Sequence, residues 1–300
     1  MNGDEVDRAL RRLRDPRHDA LRASDRDHVE VETAGAAGVT DRGVRHRRNE
    51  DALAMARVDG GIAAVVCDGV SSSARAQDAS KTAADTGLAS LTERLAAGDD
   101  AETACRTALM RAAEAVVALA RETGDVGETR PSGDAPACTY ISAYAGAESI
   151  IVCWVGDSRA YWLTQGRSQQ LTTDDSWAAE VVAHGALSEA EAHAHPNAHA
   201  LIAWLGADVS EIKPHVTTFT PDEPGMLLVC SDGLWNYYPE AAGMAAAIPA
   251  ADPMTAARHL VWLALRAGGH DNITVAMIPF AGAVRDRRPP PRRRRLRAEP

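Results

Sequence analysis

Short apolar runs beside acidic residues recur along this chain and predict buried strands. Three of them are IAAVVC at 62–67 before Asp68, MLLVC at 226–230 before Ser231-Asp232, and ITVAMI at 273–278 after Asp271-Asn272. Apolar runs of this length, bounded by turn residues, are typical of strands in the core of a sheet. We therefore expect neighbouring strands to bring at least three acids to one end of a sheet.

Helical spacing of apolar residues predicts long helices elsewhere. Two alanine-rich segments, 74–97 and 101–122, are separated by GDD at 98–100, which predicts an antiparallel helix pair. A further amphipathic helix is predicted over 254–266, where the glycine pair at 268–269 is typical of a helix C-cap.

Strand patterns alternate with turn signals in the middle of the chain. The runs at 138–146, 149–156 and 160–166 predict an antiparallel meander. The segment 172–207 has a short, polar, helical pattern with many histidines and a break at Pro196, and it predicts an irregular insert between strands. Meanders combined with long helices favour an α+β architecture, an antiparallel β-sandwich covered by helices.

The two ends of the chain differ from its centre. Residues 1–30 are highly charged and lack apolar periodicity, which predicts a helical or disordered arm. Residues 282–300 form a tail of proline and arginine that cannot bury apolar surface, and the stretch 123–136 has the composition of a loop. One domain over 31–281 is therefore expected.

Charge excludes one class of function. The chain of 300 residues has a formal net charge of −10. Residues 285–300 carry eight arginines and two acids, so the rest of the chain carries −16. A nucleic-acid-binding domain needs a basic face, and we expect none here.

Cysteine usage and hydropathy indicate the compartment. The five cysteines are odd in number, lie mostly in apolar runs and show no C-x-x-C spacing, which is typical of reduced core residues. No apolar stretch is long enough for a membrane span, and the N-terminus is too charged for a signal peptide. We expect a soluble, cytoplasmic protein.

The acids at the strand ends predict a metal site. A carboxylate at the mouth of a buried strand is held at a core edge, where an unpaired charge is unfavourable and a divalent cation relieves it. Because the ligands are oxygens only, magnesium, manganese or calcium is favoured over zinc. Two such ions about 3.5–4 Å apart can activate a water and neutralise a phosphoryl group.

The residue types suggest how the ligands divide. Asp68 is the best candidate to bridge two metals, because the carbonyl oxygen of Gly69 beside it can serve the same site. Asp232 and Asp271 would complete the other metal. The role of binding or orienting metal-bound water falls to Glu50 and Asp51.

Seven segments in a fixed order give this chain a specific resemblance. They are GVRHRRNEDALA, VVCDGV, ACTY, VGDSRAY, LTTDDSW, LLVCSDGLW and GHDNITV. Over residues 40–278 the chain resembles the metal-dependent protein serine/threonine phosphatases of type 2C. The resemblance implies a four-layer β-sandwich with helices on both faces. It also implies two Mg²⁺ or Mn²⁺ ions and attack of metal-activated water on phosphoserine or phosphothreonine.

The same resemblance implies roles for individual residues. Asp68 bridges the metals, the Gly69 carbonyl binds the first, and Asp232 and Asp271 bind the second. Asp157, together with Asp232, belongs to a third, weaker metal site. Residues 172–213 correspond to a flap beside the cleft. The implied partners are phosphorylated proteins opposing a serine/threonine kinase; no oligomeric state is implied.

The chain departs from the family pattern at four places. His46 stands where a phosphate-binding arginine is usual, so phosphate could be held by His46, Arg45 or Arg47. The other three departures are the serines at 71–73 after Asp68-Gly69-Val70, Asn236 in place of a third-site aspartate, and Ala137-Cys138-Thr139 in place of a Gly-Thr-Thr segment.

Other functions stay in view beside the phosphatase. One alternative is a catalytically silent pseudophosphatase that binds a phosphorylated partner, favoured by His46 and the serine-rich loop. Another is a metallohydrolase of small phosphate esters. Asp157 has the simpler alternative of pairing with Arg159 at a hairpin.

Two further site types are rejected from the sequence. Cys153 and Arg159 have the C-x5-R spacing of cysteine phosphatases, but a strand rather than a helix is predicted after them. Four histidines would have to form a zinc site without a recognised ligand spacing, and solvated helix faces are the better interpretation; they are His184, His193, His195 and His199.

Overall fold

The computed structural model describes residues 27–58, 60–122, 135–248 and 252–282. The predicted arm up to residue 26, most of the 123–136 loop and the tail from 283 onward lie outside these ranges. The first strand begins at His28, so residues 28–30, expected in the arm, belong to a sheet. None of the described helices has the length and apolar content needed to cross a membrane.

The first sheet has six antiparallel strands in the order β1-β2-β13-β12-β8-β9. These are β1 (His28–Thr33), β2 (Ala36–Asp41), β8 (Arg159–Leu163), β9 (Gln169–Gln170), β12 (Gly225–Cys230) and β13 (Ile273–Phe280). Cys230 at the end of β12 lies opposite Val275 near the start of β13. Asp232 and Asp271 therefore leave neighbouring strands at the same edge.

The second sheet has five antiparallel strands in the order β11-β7-β6-β4-β3. These are β3 (Ala52–Val58), β4 (Gly61–Cys67), β6 (Tyr140–Ala145), β7 (Ile150–Val155) and β11 (His215–Phe219). A short pair is formed by β5 (Ala137–Cys138) and β10 (Leu205–Gly206). Because Ala52 lies opposite Cys67, Asp51 and Asp68 also share one edge.

The central strands of each sheet are buried on both faces, which explains their uninterrupted apolar runs. In β4, Val65 and Cys67 pack toward the helix pair α1 (Ala76–Ala96) and α2 (Ala101–Glu122). The alternate residue Val66 packs between the sheets.

The first sheet repeats this arrangement on its own outer face. Leu228 packs toward α6 (Ala241–Ala247) and α7 (Pro253–Ala267), and Leu227 packs between the sheets. The layers are thus helix, sheet, sheet, helix, and the predicted four-layer sandwich is confirmed.

The helix predictions are confirmed with small shifts at the ends. The first begins at Ala76, after Arg75 in the left-handed conformation (φ +57°). The last extends one residue beyond each predicted end: Asp252 caps it by accepting from the Thr255 N–H, and Gly268 follows its end. In the flap, residues 172–213, lie the short helices α3 (Trp177–Ala183) and α4 (Glu189–His193).

Two predictions about strand placement are wrong. β6 and β7 pair as expected, but β8 crosses to the first sheet instead of extending the meander. Periodicity indicates that a strand exists but not which strand it pairs with. The acids also do not come from one sheet, because Asp68 follows a strand of the second sheet and Asp232 a strand of the first.

Candidate active site

Asp68 is fixed at the end of β4 through its backbone. Its N–H donates to Thr139 Oγ1 (3.0 Å), and its carbonyl oxygen accepts from the Thr139 N–H (2.7 Å). Thr139 Oγ1 also shares a hydrogen bond of 3.0 Å with Ser158 Oγ. The segments ACTY and VGDSRAY, which the sequence could only place in order, thus hold Asp68 from the side.

Gly69 is required by a close approach of three chain segments. Its N–H donates to the Glu50 carbonyl oxygen (3.1 Å). A Cβ atom on residue 69 would lie 2.7 Å from that oxygen and 2.8 Å from the Ala76 carbonyl oxygen. Any other residue would therefore push the Glu50 backbone away from Asp68.

Asp51 is buried at the start of β3 and is held by hydroxyl groups. Its Oδ2 accepts from Ser231 Oγ and from Thr274 Oγ1, both at 2.7 Å. Its Oδ1 is buried with no hydrogen-bond partner among the described residues. Burial raises the pKa of Asp51 to about 7; the charges of Asp232 and Asp271 add to the shift, and the two hydroxyl hydrogen bonds oppose it.

Asp232 is the first residue of the four-residue helix α5 (Asp232–Trp235). Its Oδ2 accepts from Asn236 Nδ2 (3.1 Å), and its Oδ1 is buried without a hydrogen-bond partner in the described ranges. Burial raises the pKa of Asp232 to about 6 and the charge of Asp271 adds to the shift, whereas the contacts with the Asp68 carboxyl group and with Asn236 oppose it. Asn236, the departure from the family pattern, therefore supports an acid of the centre.

Asp157 lies in the short connection between β7 of the second sheet and β8 of the first. Burial raises the pKa of Asp157 well above its usual range, and the charges of Asp232 and Asp174 raise it further. The alternative that Asp157 pairs with Arg159 is wrong. Arg159 instead donates twice to Asp174 (2.9 and 2.7 Å) and stacks 3.6 Å from the centre of the Trp235 ring.

The acids of both sheets act on one another electrostatically. Burial raises the pKa of Asp68 well above its usual range, and four neighbouring acids raise it further: Asp51, Asp232, Asp157 and Asp271. Buried carboxylates with so little positive charge around them favour protonation or a bound cation. Among the described residues, the buried oxygens Asp51 Oδ1 and Asp232 Oδ1 lack hydrogen-bond partners, which points to a cation.

The donors suit a cation that keeps part of its water shell. No three His, Cys, Asp or Glu side chains of the described residues meet in the close grouping of a preformed ion cage. Magnesium is commonly held by only one or two carboxylates, with waters completing its octahedron. Several carboxylates around a shared space, all hard oxygen donors, fit such a hydrated ion better than a dehydrated one.

Glu50 is held by hydrogen bonds to its side chain and to its backbone. Ser71 Oγ donates to Glu50 Oε2 (2.9 Å), and the Glu50 N–H donates to Asn272 Oδ1 (2.7 Å). Ser71 belongs to the run of serines at 71–73, one of the places where the chain departs from the family pattern. The Ser71 hydroxyl thus positions the Glu50 carboxylate, which the sequence analysis predicts to bind or orient metal-bound water.

His46 and Arg45 flank the last acid of the group. His46 Nε2 lies 3.2 Å from Asp271 Oδ1, and Arg45 donates to His270 Nε2 (2.7 Å). Both basic side chains are thereby drawn to the segment that carries Asp271. Arg47, the third phosphate-binding candidate, is exposed on the same loop.

Sequence reasoning assigned no role to Asn272, although it lies inside a recognised motif. Its Nδ2 donates to the carbonyl oxygens of Arg42 (2.7 Å) and Arg48 (3.1 Å), in addition to its bond with Glu50. One side chain thus joins both ends of the 42–48 loop to the Glu50 backbone. The only signal in the sequence was an amide side chain directly after the predicted ligand Asp271.

The structure contradicts the cysteine-phosphatase interpretation of Cys153 and Arg159. Arg159 begins a strand, not a helix, and burial raises the pKa of the Cys153 thiol above its usual range, so no activated thiolate forms. All five cysteines are buried and unpaired. The four flap histidines are exposed: His184, His193, His195 and His199.

The sequence pattern of the protein phosphatase 2C family matches residues 42–263. The chain belongs to this family. The serine/threonine phosphatase stp of Listeria welshimeri is 29% identical over 248 residues, which span 80% of this chain and 93% of that protein. The match to the serine/threonine protein phosphatase PstP of Mycobacterium tuberculosis, also 29% identical, spans 50% of this chain but only 29% of PstP.

Solved structures of the family have the same fold. The phosphatase MsPP from Mycobacterium smegmatis, in complex with cacodylate, superposes with a TM-score of 0.65 at 29% identity, covering 84% of this chain and all of MsPP. The catalytic domain of PstP in complex with two manganese ions superposes with a TM-score of 0.64 at 24% identity, covering 84% of this chain and 99% of that one.

Proposed function

We propose that this phosphatase 2C family member hydrolyses phosphoserine and phosphothreonine in other proteins and depends on divalent cations. The observation that carries the proposal is the group of buried acids from both sheets, in which Asp51 Oδ1 and Asp232 Oδ1 lack hydrogen-bond partners among the described residues. The names of the relatives, which are serine/threonine phosphatases, support the substrate class. Its partners would be phosphoproteins that a serine/threonine kinase modifies.

Two cations, Mg²⁺ or Mn²⁺, would be held by the acids of both sheets. The first would be bound by the Asp68 carboxylate and the Gly69 carbonyl oxygen, and the second by Asp68, Asp232 and Asp271. Asp157 and Asp232 would hold a weaker third. When bound, such ions lower the pKa of water and neutralise phosphoryl oxygens.

The remaining polar residues orient water and phosphate. Asp51, held by Ser231 and Thr274, and Glu50, held by Ser71, accept hydrogen bonds from water in the cleft. Their oxygens fix the direction from which water approaches phosphorus. Both carboxylates are already held by these hydroxyl groups, so little reorganisation is needed on binding.

The basic residues beside Asp271 receive the phosphate. Protonated His46 and the Arg45 guanidinium donate charge-assisted hydrogen bonds to phosphate oxygens. His46 and Arg45 are held at Asp271 and His270, at the edge of the acid group. The phosphate is thereby placed with its phosphorus toward the acids.

The test is phosphate release from a phosphothreonine peptide by purified protein, with Mn²⁺ and with EDTA. We expect release only with Mn²⁺. We expect Asp232→Ala to reduce it more than about 100-fold, because removing even a supporting residue of a ligand lowers activity by about 10- to 100-fold. Glu148→Ala, an exposed acid in the turn between β6 and β7, serves as the control and should retain full activity.

Other outcomes identify the alternatives. Folded, cation-loaded protein that binds the phosphopeptide but releases no phosphate would be a pseudophosphatase. Faster hydrolysis of a small phosphate ester than of the peptide at matched concentrations would identify a small-ester hydrolase. Full activity in Asp232→Ala would remove the acid group from the reaction altogether.

A further inference from the structure

The loop between β2 and β3 has an unusual charge for this protein. Residues 42–48, here called the arginine loop, contain four arginines and His46 and no acid. Outside residues 285–300 the chain carries a net −16, so the loop opposes the charge of its surroundings. Arg45, Arg47 and Arg48 are all exposed.

The arginine loop is held in place at the rim of the acid group. Asn272 Nδ2 donates to the carbonyl oxygens at both ends, Arg42 and Arg48. In the middle, the Val44 N–H donates to the Gly269 carbonyl oxygen (2.9 Å). Because backbone bonds at three points fix the loop, its side chains start from defined positions beside Glu50, which follows two residues after Arg48.

The basic side chains of the loop divide into two sets. Arg45 and His46 contact His270 and Asp271, and the proposed function uses them for the phosphate. The side chains of Arg47 and Arg48 have no hydrogen-bond or ion-pair partner within the described ranges. Two guanidiniums of the same loop are therefore open to a further anion, beside the position proposed for the phosphate.

The nature of the substrate decides what that anion is. The proposed substrate is a protein segment, so the groups that reach Arg47 and Arg48 are side chains next to the phosphorylated residue. Carboxylates match the guanidinium fork in charge and geometry. A polyanion such as nucleic acid would instead extend onto the acidic body and be repelled.

We propose that Arg47 and Arg48 select phosphopeptides with acidic residues flanking the phosphorylated serine or threonine. The inference rests on the proposed function and specifies its substrate class. Charges at the rim of an interface act mainly on the rate of association and on its salt dependence. The preference is therefore a property of kcat/KM at low ionic strength.

The test uses two phosphothreonine peptides that differ only in their flanking residues, glutamate in one and glutamine in the other. With Mn²⁺ present, kcat/KM of the natural protein should be about threefold to tenfold higher for the glutamate peptide, the range that two exposed charge pairs provide. In Arg47→Gln/Arg48→Gln the ratio should fall to about one. Raising the salt concentration should lower the ratio of the natural protein toward the same value.

A matched variant separates the effect of the loop arginines from the effect of net charge. Arg57→Gln/Arg167→Gln removes the same charge from exposed positions, near the end of β3 away from the acids and in the β8–β9 turn. It should keep the preference of the natural protein. Equal loss in both double variants would assign the effect to net charge and overturn the inference.

The two peptides also show whether the peptide preference or the proposed phosphatase function has failed. Hydrolysis of both peptides with equal kcat/KM overturns the inference alone. Failure to hydrolyse either peptide overturns the proposed function and the inference with it. A preference that is present but unchanged in Arg47→Gln/Arg48→Gln places the selectivity elsewhere and overturns the assignment.

Discussion

At the scale of single residues, neutral hydroxyl groups hold the acids of the centre. Ser231 and Thr274 both donate to one oxygen of Asp51, and Thr274 shares a further hydrogen bond of 2.7 Å with Thr40. Ser71 does the same for Glu50. Hydroxyl donors orient a carboxylate without neutralising it, so its charge can still bind a cation. Serine and threonine are too common in the sequence for these roles to be predicted without the fold.

Thr274→Val tests this support with a side chain of nearly the same shape. It removes a donor to the buried Asp51 and should lower the free energy of unfolding by about 1–3 kcal/mol, as expected when a buried acceptor loses its partner. Urea unfolding measures the change. Thr218→Val, on the exposed face of β11, is the control and should change the value by less than about 0.5 kcal/mol. Equal changes would show that the contact with Asp51 contributes nothing.

Ser71→Ala tests the serine that holds the Glu50 carboxylate. Losing its hydrogen bond frees the Glu50 carboxylate, and the Mn²⁺ concentration for half-maximal activity should rise about twofold to fivefold, as for an exposed charge-assisted bond. Ser72→Ala, at the next exposed position, should leave that concentration unchanged. Activity titrations with Mn²⁺ on both variants provide the comparison.

At the scale of elements, the functional groups lie at junctions rather than within strands. Strand and helix positions followed from apolar runs and helical spacing, because each element buries a face of its own. The destination of β8 did not, because its local sequence is equally compatible with either sheet. Helix α5 also lies at a junction between chain segments. It begins with Asp232, and its Gly233 packs against the backbone of Asn272, next to Asp271. This contact couples the positions of Asp232 and Asp271.

Gly233→Ala should disrupt that junction. The added Cβ would lie 1.9 Å from the Asn272 carbonyl oxygen, so the 271–272 backbone must move. We expect a loss of about 1–3 kcal/mol in the free energy of unfolding and a larger loss of activity. Gly243→Ala in α6 meets only Glu240 Cβ at 3.9 Å and should instead stabilise the protein by up to about 1 kcal/mol. Thermal unfolding should show a lower melting temperature for Gly233→Ala and a higher one for Gly243→Ala, and phosphate release should fall only in Gly233→Ala.

At the scale of the whole molecule, the acid group is divided between two sheets. Asp51 and Asp68 leave the second sheet, and Asp232 and Asp271 leave the first. Repulsion across this division destabilises the sandwich when the acids are all ionised and no cation is bound. Protons or cations bound between the sheets relieve it.

The binding of protons by these acids predicts how the free energy of unfolding depends on pH. The pKa of Asp51 is raised to about 7 and that of Asp232 to about 6, whereas unfolded aspartates titrate near about 4. Between about pH 4 and 7 the unfolded state binds fewer protons than the folded state. The contribution of these acids to the free energy of unfolding without cations therefore falls as pH rises through this window.

Manganese should replace the protons, so its stabilising effect should grow with pH. Melting temperatures with excess Mn²⁺ and with EDTA, at about pH 5, 6 and 7, give the difference at each pH. Asp68→Asn should abolish the difference, and the exposed-acid variant Asp222→Asn should keep it. A difference independent of pH in the natural protein would contradict proton competition at this centre.

The strands, the long helices, the family and the candidate acids of the site could all be predicted from the sequence. These depend on local composition and on motif order, which apolar runs and Asp-Gly turns record directly. Tertiary structure alone decided the partner of β8, the hydroxyl groups that hold Asp51 and Glu50, and the clamp of Asn272 on the arginine loop. Such contacts join residues far apart in the chain, such as Asn272 and Glu50, whose side-chain to backbone bond no local pattern encodes. They exist only because the ends of two sheets meet at one edge of the sandwich.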